Sequence, residues 1–207
     1  MKYVVCYAFF VGPVVSMVKH LTPNERFPVR VGAGPHMTDT EQKVLKALKL
    51  IIPALEKYDF KWVITGGFAS HVYGVNRPIT DIDIDIDTSK DSPDFKNLIR
   101  DLKKYTTQPL EHFVDQNYDN YNFEITLDGI VIDICPMKEM CIYDKKTSKY
   151  TPFYQIGFPD SKVIGWKSLN LPLLSKELII KNKEMLFWQR ESDLKDIENL
   201  KKLSQRT

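Results

Sequence analysis

The chain has 207 residues, of which 43% are hydrophobic and 27% charged, a composition typical of one globular domain with or without a small appendage. Its formal net charge of +2 argues against extensive DNA binding, although a local basic patch is compatible with it. Three cysteines, an odd number without the spacing of a metal site, favour a reduced, cytoplasmic setting.

The first 36 residues differ from the rest of the chain. From Tyr3 to Val18 they are almost wholly apolar, but this run is shorter than a membrane-spanning helix and contains a Gly-Pro pair. No clear small-residue cleavage site of a signal peptide follows it. We expect residues 1–36 to be an upstream extension, disordered or added by a misassigned start. The alternatives are a strand packed on the domain, and a membrane anchor or signal peptide.

A helix is predicted directly after Met37, where the domain of residues 37–207 begins. Thr38 and Glu41 form a capping-box pattern, in which each side chain binds the other residue's free backbone N–H. Apolar residues then recur at helical spacing as far as Leu55. Pro53 should bend this helix or end it early, because proline lacks the N–H that the helix needs.

A glycine pair, Gly66-Gly67, separates a short apolar strand over residues 60–64 from a predicted two-turn helix. Glycine lets the backbone approach a ligand closely, and the start of a helix offers free N–H groups to phosphate. The pair is equally compatible with an ordinary tight turn. Further on, Arg77 is either a surface residue or a bidentate partner for phosphate oxygens.

The most regular pattern is the alternation of aspartate and isoleucine from Asp81 to Asp87. Alternation with a period of two is typical of a strand, whose successive side chains point to opposite faces. The four carboxylates therefore share one face, and each adjacent pair, roughly 7 Å apart, repels by about 2 kcal/mol at an effective dielectric near 20. A divalent cation, Mg²⁺ first or Mn²⁺, would offset this repulsion. A solvated edge strand is the alternative.

The next informative stretch is a predicted hairpin. Arms over residues 123–127 and 130–135 flank Asp128-Gly129, one of the strongest short hairpin signals. The Tyr- and Asn-rich residues 117–120 before it are predicted to be a surface loop. Asp133 is a single carboxylate in an apolar arm, and because a buried unpaired carboxylate is costly, we expect the Asp strand and its cation to be its partners.

The last third of the chain is less patterned. Residues 137–174 are predicted to be largely irregular, with one strand near residues 154–158. Two helices close the chain, the first over residues 175–189 and the second after the N-cap Ser192. Lys181 and Lys183 on the first of these helices are either solvated or reach toward phosphates.

Three features thus occur in order: a strand before Gly66-Gly67, a strand with Asp81-Ile82-Asp83, and a later strand with Asp133. This order resembles the DNA polymerase beta-like nucleotidyltransferase superfamily, especially its small bacterial and archaeal members, the lincosamide-type resistance enzymes and the abortive-infection-type toxins. Their Gly-Gly-x-Ala turn and the Arg before Asp-Ile-Asp both have counterparts here. Their closing Arg-x-Lys-Asp-x-x-Asp run corresponds to residues 190–196, with Ser192 in place of the lysine.

The resemblance implies an α+β fold: the nucleotidyltransferase fold, a small mixed sheet with flanking helices and a C-terminal helix pair at about residues 175–204. It implies two metal ions, Mg²⁺ or Mn²⁺, with Asp133 also a candidate base. The implied metal ligands are Asp81, Asp83 and Asp133, and the implied nucleotide-binding residues are Gly66, Gly67, Arg77 and Lys181. Asp85 and Asp87 lie farther along the strand and are expected to be solvated.

The implied activity is transfer of a nucleoside monophosphate from a nucleoside triphosphate such as ATP to an acceptor hydroxyl, with release of pyrophosphate (EC 2.7.7 type). The acceptor would be a small molecule, an RNA end such as tRNA, or a protein, and an antitoxin-like partner protein would suit the toxin relatives. One alternative is a non-catalytic nucleotide- or protein-binding module on the same fold, for example half of a toxin–antitoxin pair. The other is a metal-dependent phosphoesterase, which has no particular need for the glycine turn.

Overall fold

The computed structural model describes residues 37–153 and 161–205, so the expectation for residues 1–36 lies outside the described residues. The helices in these ranges are α1 (Asp39–Lys57), α2 (Gly66–Val72), α3 (Pro93–Leu102), α4 (Lys176–Met185) and α5 (Glu191–Ser204). The strands are β1 (Trp62–Ile64), β2 (Asp81–Ile86), β3 (Thr106–Val114), β4 (Tyr118–Leu127), β5 (Ile130–Pro136), β6 (Cys141–Asp144), β7 (Lys149–Pro152), β8 (Ser161–Trp166) and β9 (Leu169–Leu174).

The described strands all belong to one mixed sheet. Its main path runs β7-β6-β4-β5-β2-β1-β9-β8, and β3 pairs with β4 outside this path. Strand β2 is parallel to β5 and β1 is parallel to β9, while the other neighbours are antiparallel. The predicted α+β class is confirmed, although the mixed sheet is larger than the small one that was expected.

Helix α1 begins as the sequence predicts. The N–H of Thr38 donates to a Glu41 carboxylate oxygen at 2.8 Å, and the N–H of Glu41 donates back to the Thr38 hydroxyl at 3.1 Å. Pro53 does not end the helix, which continues to Lys57. Its ring lies on the exposed side, and burial of Ile51 and Leu55 on either side offsets the lost backbone hydrogen bond.

The predicted hairpin is present as β4 and β5. Its two turn residues, Asp128 and Gly129, have φ values of +51° and +80°, the left-handed conformation that a two-residue hairpin turn requires. Helices α4 and α5 also form the expected C-terminal pair. However, α4 ends at Met185 rather than residue 189, and the N-cap of α5 is Arg190 rather than Ser192.

Two predictions of irregular structure were wrong. The Tyr- and Asn-rich segment is not a surface loop, because β4 begins at Tyr118 and pairs with β3, which was not predicted. Residues 137–174 contain strands β6 to β9 rather than mostly loop; the strand expected at residues 154–158 lies outside the described residues. Strands β6 and β7 have only four residues each, too few for a clear alternation. Strands β8 and β9 form a hairpin whose two connecting residues, Lys167 and Ser168, lack the glycine typical of such a turn.

The two faces of β2 have opposite environments. Ile82, Ile84 and Ile86 are fully buried in the main hydrophobic core, together with residues from α1, α2 and α3. The aspartates point to the other side of the sheet, where a second, smaller apolar cluster lies. Its buried members are Val63, Met137, Met140, Ile142, Phe153 and Leu186.

None of the helices in residues 37–153 and 161–205 combines the length and the hydrophobicity that a membrane crossing needs.

Candidate active site

The register between β2 and β5 places two of the predicted carboxylates side by side. These strands run parallel, and Asp83 lies directly opposite Asp133. Directly opposed residues project to the same face of a sheet, so both carboxylates lie on the side away from the isoleucine core. Asp81 is on the same face, one pleat before Asp83, and opposes Val131. The carboxylates expected from two separate strands therefore share one surface of the sheet.

The glycine pair is packed directly against this surface. Gly66 has φ of +62°, and a Cβ atom at this position would overlap the carboxylate of Asp83. A Cβ atom on Gly67 would lie 2.6 Å from the guanidinium carbon of Arg77. The backbone of the turn is also held to β2, since the Thr65 N–H donates to the Asp83 carbonyl at 3.0 Å. Each glycine thus provides the space for one predicted site residue.

These side chains border a cleft of about 500 Å³. One wall is formed by the glycine turn and β2, the floor by β4 and β5, and the opposite wall by α4, α5 and the segment between them. Polar residues that line the cleft include Gly66, Gly67, Arg77, Asp81, Asp83, Asp85, Asn120, Asn122, Asp133, Asn182, Lys183, Arg190 and Asp193. All the predicted site residues except Lys181 are among them.

The carboxylates of the cleft are not fully compensated by the protein. Burial, and then repulsion by Asp81 and Asp133, raise the pKa of Asp83 to about 7, although Lys183 and Arg190 act in the opposite direction. Burial also raises the pKa of Asp133, against the effect of the Asn122 amide, which donates to its Oδ1 atom at 2.8 Å. A cation between these carboxylates would favour their charged forms.

Asp85 is not solvated as we expected. It is 4% exposed and opposes Val63 of β1 on one side and Cys135 of β5 on the other. Burial, followed by repulsion from Asp83, raises its pKa to about 8, and a hydrogen bond with the Thr65 side chain lowers it. The alternative of a solvated edge strand is excluded, because β2 lies between β1 and β5. The Ile-Asp alternation does not distinguish an edge strand from a central one.

Asp87, which we also expected to be solvated, is only partly so. One of its carboxylate oxygens, Oδ1, is buried and has no hydrogen-bond partner within the described ranges. Asp87 as a whole, directly after β2, is half-buried. It does not line the cleft.

A network of five charged residues joins the wall formed by α4 and α5 to the glycine turn, because Arg77 packs over Gly67. Arg77 donates to a carboxylate oxygen of Asp196 at 2.5 Å, and the Lys183 ammonium lies 3.2 Å from the same oxygen. Lys183 also donates to Asp193 at 2.5 Å, and Nε of Arg190 donates to the second Asp193 oxygen at 3.0 Å. Burial alone would raise the pKa of Asp193, but hydrogen bonds from Arg190 and Lys183 lower it to about 2.

Lys181 does not belong to this wall. Its side chain is exposed and does not line the cleft, whereas Lys183 is 7% exposed and does. The distinction depends on which face of α4 meets the cleft, which the sequence alone does not give. Ile179 is buried at the cleft, and a residue four positions later lies on the same face of a helix, which indicates Lys183 and not Lys181.

The donor set of the cleft suits a hard divalent cation. The lining has six aspartates but three Lys or Arg side chains, so a nucleoside triphosphate entering alone would add to an excess of negative charge. In the described ranges, no group of three or more His, Cys, Asp or Glu side chains is arranged so that it could hold a metal ion by itself. Mg²⁺ does not require such a group, because it is usually held by one or two carboxylates together with substrate phosphates and water. Asp83 and Asp133 fit that requirement.

Two amide oxygens in the cleft also lack partners. Oδ1 of Asn120 and Oδ1 of Asn182 are buried without a hydrogen bond in the described part of the chain. Both residues line the cleft, from the floor and from the α4 wall respectively. Buried polar groups are normally satisfied, so these two oxygens are acceptors for a ligand or for ordered water.

Comparison with known proteins identifies the fold. A candidate nucleotidyltransferase from Thermotoga maritima, TM1012, superposes with a TM-score of 0.58 at 18% identity, over 84% of this chain and 98% of that chain. The lincosamide antibiotic adenylyltransferase LnuA, with lincomycin bound, superposes with a TM-score of 0.50 at 20% identity, over 76% of this chain and 96% of that chain. No protein-family model and no curated protein matches the sequence. The chain therefore has the nucleotidyltransferase fold, as the order of its glycine turn and aspartate strands predicted.

Proposed function

We propose that this protein is a metal-dependent nucleotidyltransferase. It moves a nucleoside monophosphate from a nucleoside triphosphate to an acceptor hydroxyl and releases pyrophosphate. The observation that carries the proposal is the direct pairing of Asp83 with Asp133 beside the Gly66-Gly67 turn. The catalytic unit is the domain of residues 37–207, and the reduced cysteines Cys135 and Cys141 suit a cytoplasmic protein.

The carboxylates are proposed to hold the metal. Asp81, Asp83 and Asp133 are the ligands, with Mg²⁺ as the first choice and Mn²⁺ as the second, in a two-metal arrangement. When bound, the metal supplies charge neutralisation of the triphosphate and of the pyrophosphate that leaves. Asn122 holds one oxygen of Asp133, which orients this carboxylate to accept the proton of the attacking hydroxyl.

The triphosphate is proposed to lie along the glycine turn and the Arg77 and Lys183 side chains beside it. Gly66 and Gly67 expose backbone at the start of α2, and Arg77 and Lys183 face the same cleft. Lys183 takes the role first expected of Lys181, because it is the lysine of α4 that lines the cleft. The fold shared with a lincosamide adenylyltransferase supports ATP as the first nucleotide to test.

A transfer assay tests this proposal and separates it from its alternatives. The purified protein is incubated with each nucleoside triphosphate labelled on the α-phosphate, with Mg²⁺, with Mn²⁺ and with chelator. Metal-dependent release of pyrophosphate, with label transferred to tRNA, to a small molecule or to protein, supports the proposal and identifies the acceptor. Release of inorganic phosphate indicates a phosphoesterase, and nucleotide binding without turnover indicates a binding module.

Two variants complete the assay. Asp83→Asn removes a proposed metal ligand and should abolish the metal-dependent reaction. Asp94→Asn changes an exposed aspartate in the first turn of α3, outside the cleft, and should leave it unchanged. Equal activity of the two variants would contradict the proposed site. An antitoxin-like partner, if encoded next to this protein, is tested by adding it to the same reaction.

A further inference from the structure

Two aspartates of α5, Asp193 and Asp196, have no role in the function proposed above. Each is 1% exposed, which is rare for a carboxylate unless it is paired. They are three positions apart, so they lie on the same face of the helix. That face is turned toward α4 and the cleft, because both carboxylates contact Lys183.

Each carboxylate connects two cations that belong to different segments. Asp196 joins Arg77, which packs over Gly67, to Lys183 of α4. Asp193 joins Lys183 to the guanidinium of Arg190 through contacts of 2.5, 3.0 and 3.2 Å, and also accepts the Arg190 backbone N–H at 3.1 Å. The turn, α4 and the start of α5 are thereby fixed relative to one another.

Charge balance shows what these aspartates contribute. If the wall served only to attract phosphate, two carboxylates beside its cations would weaken it, since they cancel much of the positive charge. A lysine ammonium on a flexible four-carbon stem, however, has many orientations in a wide cleft. Two carboxylates on one helix restrict the orientation of Lys183, which lines the cleft, and engage two of its three N–H donors.

We infer that Asp193 and Asp196 are positioning residues that hold Lys183 and Arg77 in the orientation needed for nucleotidyl transfer. This inference rests on the proposed function. Because it concerns orientation rather than net charge, it predicts a different kinetic signature from that of a residue that simply attracts substrate.

The kinetic test uses Asp196→Asn and Asp193→Asn, which keep the shape of the side chain and remove its charge. We expect kcat to fall about tenfold or more, while the equilibrium affinity for the nucleotide, measured by calorimetry, changes by less than about threefold. Asp196→Glu, which keeps the charge, should recover part of the lost kcat. Glu198→Gln is the matched control on α5, since it removes an exposed ion pair with Lys202 and should leave kcat unchanged.

A second readout does not depend on activity. Acylation of lysines, followed by mass spectrometry, reports the reactivity of the Lys183 amine relative to that of the exposed Lys181 in the same helix. In the wild type, labelling of Lys183 should be far below that of Lys181, and Asp193→Asn should raise it severalfold. Circular dichroism shows whether each variant is folded before either measurement.

The outcomes separate the inference from the proposed function. A wild-type protein that transfers no nucleotide refutes the proposed function and with it the catalytic part of the inference, and labelling of Lys183 then decides only whether the two aspartates hold this lysine in place. If the wild type is active, an unchanged kcat in a folded Asp193→Asn and Asp196→Asn overturns the inference, whatever the labelling shows. A loss of kcat in Glu198→Gln as large as in these variants also overturns it.

Discussion

Replacing Gly66 with alanine tests the geometry of the site at its most constrained point. The backbone of Gly66 has φ of +62°, and the space above it is filled by the Asp83 carboxylate. Alanine would therefore have two effects at once. It would place an L-residue in the left-handed region, and it would force Asp83 away from the glycine turn.

The two effects have different magnitudes. The left-handed conformation costs a non-glycine residue about 1–2 kcal/mol, and in a domain of this size each kcal/mol lowers the melting temperature by roughly 2–4 °C. The displacement of Asp83 acts mainly on catalysis, since a shift of about 1 Å in a reacting group can reduce the rate about 100-fold. We expect a modestly destabilised protein that has lost nearly all metal-dependent transfer.

The hairpin and the glycine pair provide matched controls. Gly129 has φ of +80° and nothing within 4 Å of its added Cβ, so Gly129→Ala should cost stability without affecting transfer. Gly67→Ala has no left-handed strain, but its Cβ would meet the Arg77 guanidinium at 2.6 Å. It should therefore lower transfer by moving Arg77 out of the orientation that Asp196 gives it. Thermal melting and pyrophosphate release are measured on all three variants.

Either of two results would contradict a displacement of Asp83 by the alanine. One is a folded Gly66→Ala protein whose transfer rate stays within about threefold of the wild type, because the clash would then have been absorbed without moving Asp83. The other is a loss of transfer in Gly129→Ala equal to that in Gly66→Ala, because strain alone would then account for both.

Further predictions concern charge in the cleft. Asp83→Asn should abolish transfer and yet melt at the same or a higher temperature than the metal-free wild type at pH 8, since it removes carboxylate repulsion; a drop of several degrees would contradict this. Since burial raises the pKa of Asp83 to about 7 and of Asp85 to about 8, both above their unfolded values, their contribution to stability is present at low pH and lost as pH rises through these values. The chelated protein should accordingly melt at a lower temperature at pH 8.5 than at pH 5.5. Asp85→Asn should reduce this difference in melting temperature. An unchanged difference in Asp85→Asn would count against the burial of the Asp85 carboxylate. Lys183→Gln should lower the transfer rate by about tenfold or more, whereas Lys181→Gln should leave it unchanged. Equal effects of the two variants on this rate would contradict a role for Lys183 in the site.

The parts of the fold that the sequence predicted are those with a strong local pattern. The Ile-Asp alternation of β2, the Asp128-Gly129 turn and the capping box of α1 all depend on neighbours within a few residues. Strands β3 and β6 to β9 were missed, although β3 pairs with β4, β6 with β7 and β8 with β9, each the next strand along the chain. Their connections lack the Asp-Gly signal that marks the hairpin of β4 and β5, so the sequence offered no comparable turn from which to infer the pairing.

In the site, too, the residues with a strong local pattern were the ones predicted from the sequence. Asp83 and Asp133 were found because each stands out in its own strand, and the register that joins them is a tertiary fact that only the structure provides. The burial of Asp85 depends on β1 and β5 on either side of β2, which periodicity does not reveal. The difference between Lys181 and Lys183 depends on which face of α4 meets the cleft.

The ion pair between Arg77 and Asp196 joins residues 119 positions apart. During synthesis at about 5–20 residues per second, the glycine turn and the aspartate strand leave the ribosome roughly 6–24 seconds before helix α5 is available to receive the arginine. A product truncated after α4 would retain every proposed metal ligand and still lack the carboxylates that hold its cations. Competence for the reaction would then be acquired only once α5 has been synthesised.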